Sequence, residues 1–172
     1  MRDAAPDSAS ATAFPAELMI WLSPAFPIGS FAFSQGLEWA VADGSVGDAA
    51  SLTAWLADVT HHGALHNDLI ILSLVRRAIS DAEIEGLAQL SAALQPSRER
   101  AEEALMQGAA FMVAYGAAWR QPGERDGPAK DATPTTLPVA VGRAARSYAS
   151  PLEATLVAYA AAFTANLVSA AI

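Results

Sequence analysis

Apolar residues in this chain return every three or four positions, and that spacing restricts the fold more than any other feature. In "SLTAWLADVTHH", Leu52, Trp55, Leu56 and Val59 stand at i, i+3, i+4 and i+7, the stripe of an amphipathic helix. "AELMIWL" (16–22) reads as a short apolar helix that must stop before Pro24. From Leu65 to Ile79 apolar residues fall on all sides, which predicts a helix through the middle of the domain. Leu105, Ala109, Met112, Gly116 and Trp119 predict one inward face of a later helix. No β-branched run alternates, and no Asn-Gly hairpin or internal repeat occurs. The expected fold is all-α: a single-domain bundle of about seven or eight helices over residues 16–172, after a disordered polar tail over 1–15.

Helix punctuation agrees with that reading. Asp48 or Ser51 can cap the helix that holds Trp55, and "SDAE" (80–83) pairs Ser80 with Glu83 as a capping box. Pro96 breaks that next helix, and Ser97 can cap the one after it. Residues 120–134 hold three prolines and two glycines, the marks of an exposed loop. A short helix is expected through "LPVAVGRAARSYA", and "SPLE" (150–153) reads as a second capping box with Pro151 at the first helical position. The last helix meets no cap or glycine stop before Ile172, which reads as a chain cut short.

The chain has 172 residues, 53% hydrophobic and only 16% charged, against the roughly one quarter charged that is usual. So apolar a chain is expected to bury surface against a copy or a partner. Its net charge of −8 opposes phosphate, so nucleic acid is a poor partner. With no cysteine there is no disulfide, thiol nucleophile or cysteine metal site. "MRDAAPDSASATAF" lacks the apolar core of a signal peptide. "LVAYAAAFTANLVSAAI" is long and apolar enough to raise the question of a membrane. Its Thr164, Asn166 and Ser169 and its lack of flanking Lys or Arg favour a buried helix instead.

Few residues suggest chemistry. His61, His62 and His66 cluster, and on one continuous helix His62 and His66 would share a face, where Asp68 could add an oxygen. Gly63 stands where the glutamate of a hydrolytic H-E-x-x-H site would be. Two histidines rarely fix a metal, so the cluster reads first as a helix junction with a weak nickel carrier as the alternative. Asp68 and Arg76 or Arg77 are the charges of the all-round apolar helix, and Asp68 is expected to pair with Arg98, Arg143 or Arg146. There is no glycine-rich phosphate loop and no G-x-S-x-G elbow. Nothing reads as an enzyme.

Residues 23–40, "SPAFPIGSFAFSQGLEWA", stand apart. Pro24 and Pro27 stiffen a loop, Gly29 allows a sharp turn, and Ser30 can cap a helix. On that helix Phe33, Leu37, Ala40 and Val41 are expected to face the core. Ser34 and Glu38, one turn apart, would occupy another face with Gln35 and Trp39. The pattern allows an ordinary core helix with a solvated acid, or a partner surface with an aromatic anchor.

These residues resemble the signature of the UreF family of urease accessory proteins. The likeness continues through "SLTAWL", "HHGALHND", "SRER" with "QG" at 107–108, "LPVAVGRAA" and "LEATLVAYAAAFTANLVSAAI". It spans nearly all the chain after residue 15, and family members continue past it into a tail. The resemblance implies an all-α, cytoplasmic, homodimeric maturation factor without enzymatic activity. It would join UreD (also called UreH) and the GTPase UreG, modulate the GTPase step, and serve nickel delivery to the urease apoprotein. Nickel would be handled by the complex, with no intrinsic cofactor. Pro24, Pro27, Gly29, Ser34, Gln35, Gly36, Leu37 and Glu38 match the family motif, and Asp68 and Asn166 match positions of structural role. The alternative from another class is a helical scaffold or dimerisation module unrelated to GTPases.

Overall fold

The computed structural model of the chain describes residues 14–29, 34, 36–123 and 133–171. Among the described residues there are eight helices and no strand, as the periodicity requires. They are α1 (Ala16–Trp21), α2 (Leu37–Ala42), α3 (Ala49–His62), α4 (Ala64–Arg77), α5 (Asp81–Ala93), α6 (Arg98–Ala118), α7 (Leu137–Ser147) and α8 (Leu152–Ala170).

Several starts follow the capping chemistry. Asp48 accepts from the Ser51 backbone N–H at 2.8 Å, while the Ser51 hydroxyl accepts from the Asp48 N–H at 3.1 Å. Ser80 accepts from the Glu83 N–H, but Glu83 reaches one residue further back, to the Ile79 N–H at 2.9 Å. Ser97 caps α6 through the Arg100 N–H. The "SPLE" stretch departs from expectation: α8 has no side-chain cap. Ser150 is buried and points its hydroxyl at the Glu17 carboxylate of α1 instead, at 2.7 Å.

The centre of the bundle is α7, packed between α4 and α6. Pro138 to Gly142, Ala144 and Ala145 are all buried. Small residues let the neighbours come close. A Cβ on Gly142 would lie 2.8 Å from Val75 Cγ1 of α4, and one on Gly108 of α6 would lie 1.9 Å from the Thr135 carbonyl oxygen. Gly108 therefore fixes which side of α6 faces inward. The buried face is Glu103, Ala104, Gly108, Phe111 and Tyr115, not the expected stripe through Leu105, Ala109, Met112, Gly116 and Trp119.

Trp21 is fully enclosed, edge-on to Phe111, Tyr115, Trp119 and Tyr148 at 5.0–6.2 Å. Enclosing each large side chain of this kind contributes about 1.5–3 kcal/mol, with further gain from edge-to-face ring contact.

Two helices expected inside are partly outside. Leu65, Ile71, Leu72 and Val75 of α4 are buried, but Ile70 and Leu74 are exposed. The all-round apolarity of α4 thus combines a core face with an open one. On α8 only Thr155, Tyr159 and Leu167 are buried, so it is not the enclosed helix the composition suggested. A narrow strip of α8 lies on α1, α2 and α4, and alanines make up much of its outer side. Among the described residues α8 is the one helix long and apolar enough to cross a membrane.

Candidate functional site

The motif loop leaves α1 and is pinned at one aromatic point. Ser23 bonds the Ile20 carbonyl, the Phe26 N–H bonds Ser23 O, and buried Phe26 lies against Phe111 at 5.3 Å between ring centroids. Pro24 and Pro27 are exposed on either side of it. Gly29 has φ +72° and Gly36 φ +86°, the left-handed turns that glycine adopts without strain.

The helix starts later than expected. Gly36 is its N-terminal boundary residue and α2 runs only from Leu37. Ser34 therefore precedes the helix and cannot pair with Glu38 across a turn; its carbonyl accepts from the Leu37 N–H at 3.0 Å. Leu37 and Ala40 are buried, whereas Val41, expected in the core, is exposed because six residues give room for one short inner edge. Glu38 and Trp39 both face outward, Trp39 with 70% of its surface exposed. Ser30, Phe33 and Gln35 lie outside the described residues.

Beneath the loop lies a cavity of about 60 Å³ with mixed polar and apolar walls, room for a few waters. Leu22, Ser23, Pro24 and Ile28 form its loop side. Asp68 of α4, Arg100, Glu103 and Gln107 of α6, and Tyr159 and Asn166 of α8 give it its polar groups, among apolar side chains such as Leu137, Phe163 and Leu167. The two positions given a structural role in the sequence, Asp68 and Asn166, thus border one space. The Tyr159 hydroxyl donates to Asp68 Oδ2 at 2.8 Å. Arg100 pairs with Glu103, and Gln107 donates to the other Glu103 oxygen at 3.0 Å.

The expected ion pair from Asp68 to Arg98, Arg143 or Arg146 does not form; its partner is a phenol. Arg98 is exposed and pairs with Glu102 one turn along α6. Asp68 keeps no guanidinium contact, and burial pushes its carboxyl up to about 6. The Tyr159 bond and the Arg100 charge oppose that rise without cancelling it, while Glu103 adds to it. Tyr159 is driven well above its ordinary range by burial and by the Asp68 charge. The cavity can hold water and a proton on Asp68. It presents no nucleophile set against a base.

His62 and His66 do not share a helix. Gly63 separates α3 from α4, so His62 ends one helix and His66 belongs to the next, and both side chains are exposed. A Cβ at Gly63 would stand 2.9 Å from Val59 Cα and O, so the tight junction itself needs glycine. His61 and His62 occupy the last turn of α3, where a cation suits the helix end. Among the described residues no three His, Asp or Glu side chains are grouped to hold a metal.

Residues 46–172 match the family model described as UreF. The chain belongs to the UreF family. It is 45% identical over 158 residues to a urease accessory protein UreF of Methylorubrum populi, covering 90% of this chain and 70% of that relative. A UreF of Methylobacterium radiotolerans is 45% identical over 158 residues, covering 90% of this chain and 69% of the relative. One of Rhodopseudomonas palustris is 42% identical over 170 residues, covering 97% and 72%. These alignments are longer than the stretch the family model matches, so they reach into the residues before 46. In this UreF-family chain the start of the motif loop, through Ser23, Pro24 and Ile28, roofs the Asp68 cavity. The cavity was missed by sequence reasoning because Asp68, Glu103 and Tyr159 come from three helices. The one signal was that Asp68 and Tyr159 are polar groups within otherwise apolar helical runs; Glu103 gave none, lying among the charges of 98–103.

Proposed function

We propose that the chain acts as a urease accessory protein, a maturation factor and not an enzyme, that bridges UreD/UreH and the GTPase UreG. It acts on the GTPase step in the cytoplasm as a homodimer, and nickel destined for the urease apoprotein passes through the assembly with no resident metal on this chain. The observation that carries the docking part is the outer face of α2. Leu37 and Ala40 anchor the helix inward, a glycine turn fixes its start, and Trp39 and Glu38 project into solvent. A rigid, bare tryptophan beside a carboxylate is the composition of an interface anchor, and a fixed start leaves little entropy to lose on docking. The exposed Ile70, Leu74, Ile79, Val113 and Val157 supply further apolar surface for association.

The test compares Glu38→Ala and Trp39→Ala with the unaltered chain. The readouts are co-purification with UreG and UreD, GTP turnover in the assembly, and urease activation in cells lacking UreF. Both variants are expected to keep helicity and to lose about 0.5 kcal/mol or less of stability, while lowering activation. Full activation by both would remove the α2 face from the reading. Light scattering that finds only monomer at high concentration would remove the homodimer.

A further inference from the structure

A second surface stands out by its charge. In a chain of net charge −8 with only ten Lys and Arg, four arginines gather where α4 and α7 end. Arg76 and Arg77 close α4; Arg143 and Arg146, one turn apart, lie near the end of α7. α4 and α7 pack directly against each other, with Gly142 beside Arg143 seated on Val75 beside Arg76. None of the four arginines forms an ion pair among the described residues, where the two salt bridges both lie within α6.

Helix ends favour cations on their own account, and Arg76 serves in that way, donating from Nη2 to the Ser150 carbonyl just after α7 at 2.6 Å. That role does not account for the rest. Among the described residues, Arg76 Nε and Arg143 Nε are buried with no acceptor, and Arg77 and Arg146 make no side-chain hydrogen bond. Burial, and after it the nearby Arg146 charge, lower the affinity of Arg76 for its proton, so Arg146 lies close enough to repel it. The Glu17 carboxylate takes the Ser150 hydroxyl, and among the described residues it makes no ion pair with these arginines. Buried donors without acceptors are costly, and arginine forks suit paired carboxylate oxygens.

We propose that the Arg76–Arg77–Arg143–Arg146 surface docks a short acidic segment of a partner protein, its carboxylates bridging the ends of α4 and α7. An acidic peptide fits better than a nucleic acid. A long polyanion would run beyond four arginines onto a protein whose remaining charge repels it, whereas two or three side-chain carboxylates end where the arginines end. This surface is independent of the α2 face.

The experiment is fluorescence anisotropy with a labelled oligoglutamate peptide and the full chain at low salt. Oligoglutamine, oligothymidylate and inorganic pyrophosphate serve as comparison ligands. Oligoglutamate is expected to bind, oligoglutamine not, and binding is expected to weaken as salt rises. Arg143→Gln with Arg146→Gln is expected to weaken it about tenfold, with the folded state checked by melting. Arg77→Glu, an exposed change that disturbs no contact, is expected to weaken it severalfold and carries the test should the double variant not fold. Arg98→Gln, on α6, is expected to leave it unchanged. No preference for glutamate over glutamine, or undiminished binding by Arg77→Glu, would overturn the proposal. Tighter binding of oligothymidylate or pyrophosphate through the same arginines would also overturn it, in favour of a phosphate ligand.

Discussion

Replacing Asp68 by Asn isolates one term in the stability of this fold. Asparagine keeps an oxygen for the Tyr159 hydroxyl and removes the charge. In the unfolded chain an aspartate titrates near about 3.9, while in the fold burial lifts Asp68 to about 6. The folded state therefore holds the proton more tightly, so stability from this group is greatest at low pH and falls as pH rises between about 4 and 6. Above that window the charge is present in both states and the loss is complete. A rise of about two units corresponds to about 3 kcal/mol, reduced to the extent that cavity water screens the carboxylate. Asp43, Asp48 and Glu99 have lowered pKa values and act with the opposite sign at lower pH; the difference between the two proteins removes them. Urea unfolding followed by circular dichroism from pH 4 to 8 is the assay. The two proteins should be close at pH 4, and Asp68→Asn should gain about 1–3 kcal/mol by pH 7.5. Parallel curves would show that Asp68 is solvated in the fold and that the cavity is open to bulk water. If the stabilised variant also fails to activate urease, the charge is kept for function at a cost in stability.

Leu37→Ala should lower unfolding free energy by about 2–5 kcal/mol through the cavity it leaves, seen as an earlier thermal midpoint; a change under about 1 kcal/mol would mean that α2 is not anchored. Gly108→Ala should cost about 3 kcal/mol, since its methyl meets the Thr135 backbone. Gly116→Ala, with nothing within 4 Å of its added carbon, should be neutral or stabilising by up to about 1 kcal/mol. The reverse order in denaturant midpoints would restore the face of α6 first expected from sequence. Nickel titration by calorimetry should give no nanomolar site that depends on His62 and His66, and such a site, lost in the double alanine variant, would refute the separation of the two side chains.

The periodicity of "SLTAWLADV" and the caps at Asp48, Ser80 and Ser97 carried most of the helices, because these are local signals written within one turn. The errors share a cause: they depended on neighbours. Which face of α6 is inward is set by Gly108 against Thr135, a contact across 27 positions in sequence, and Leu105 and Met112 look as apolar as Phe111. The central place of α7 was hidden because alanine, glycine and valine give a weak hydrophobic signal while allowing the closest packing. Ser150 has the sequence of a cap, yet Glu17 and Arg76 claim it from distant elements. The motif at 23–40 revealed the outward Glu38 and Trp39. It concealed the late helix start, since Gly36 between Gln35 and Leu37 is also compatible with a continuing helix in a one-dimensional reading.

One tryptophan sealed and another bare give this chain two separate optical labels. Trp21 has no exposed surface and stands 5.6 Å from Tyr115 and 5.0 Å from Tyr148 between ring centroids, close enough to collect their excitation. Light absorbed by tyrosine thus reports on the interior. Trp39 emits from water on α2 and is open to a dissolved quencher, with Trp55 and Trp119 between the two extremes. A molecule settling on α2 would shield and blue-shift Trp39 and leave the interior signal still. Melting would disperse the Trp21 signal with little change at Trp39. Docking and unfolding can therefore be told apart in one cuvette, with no dye attached.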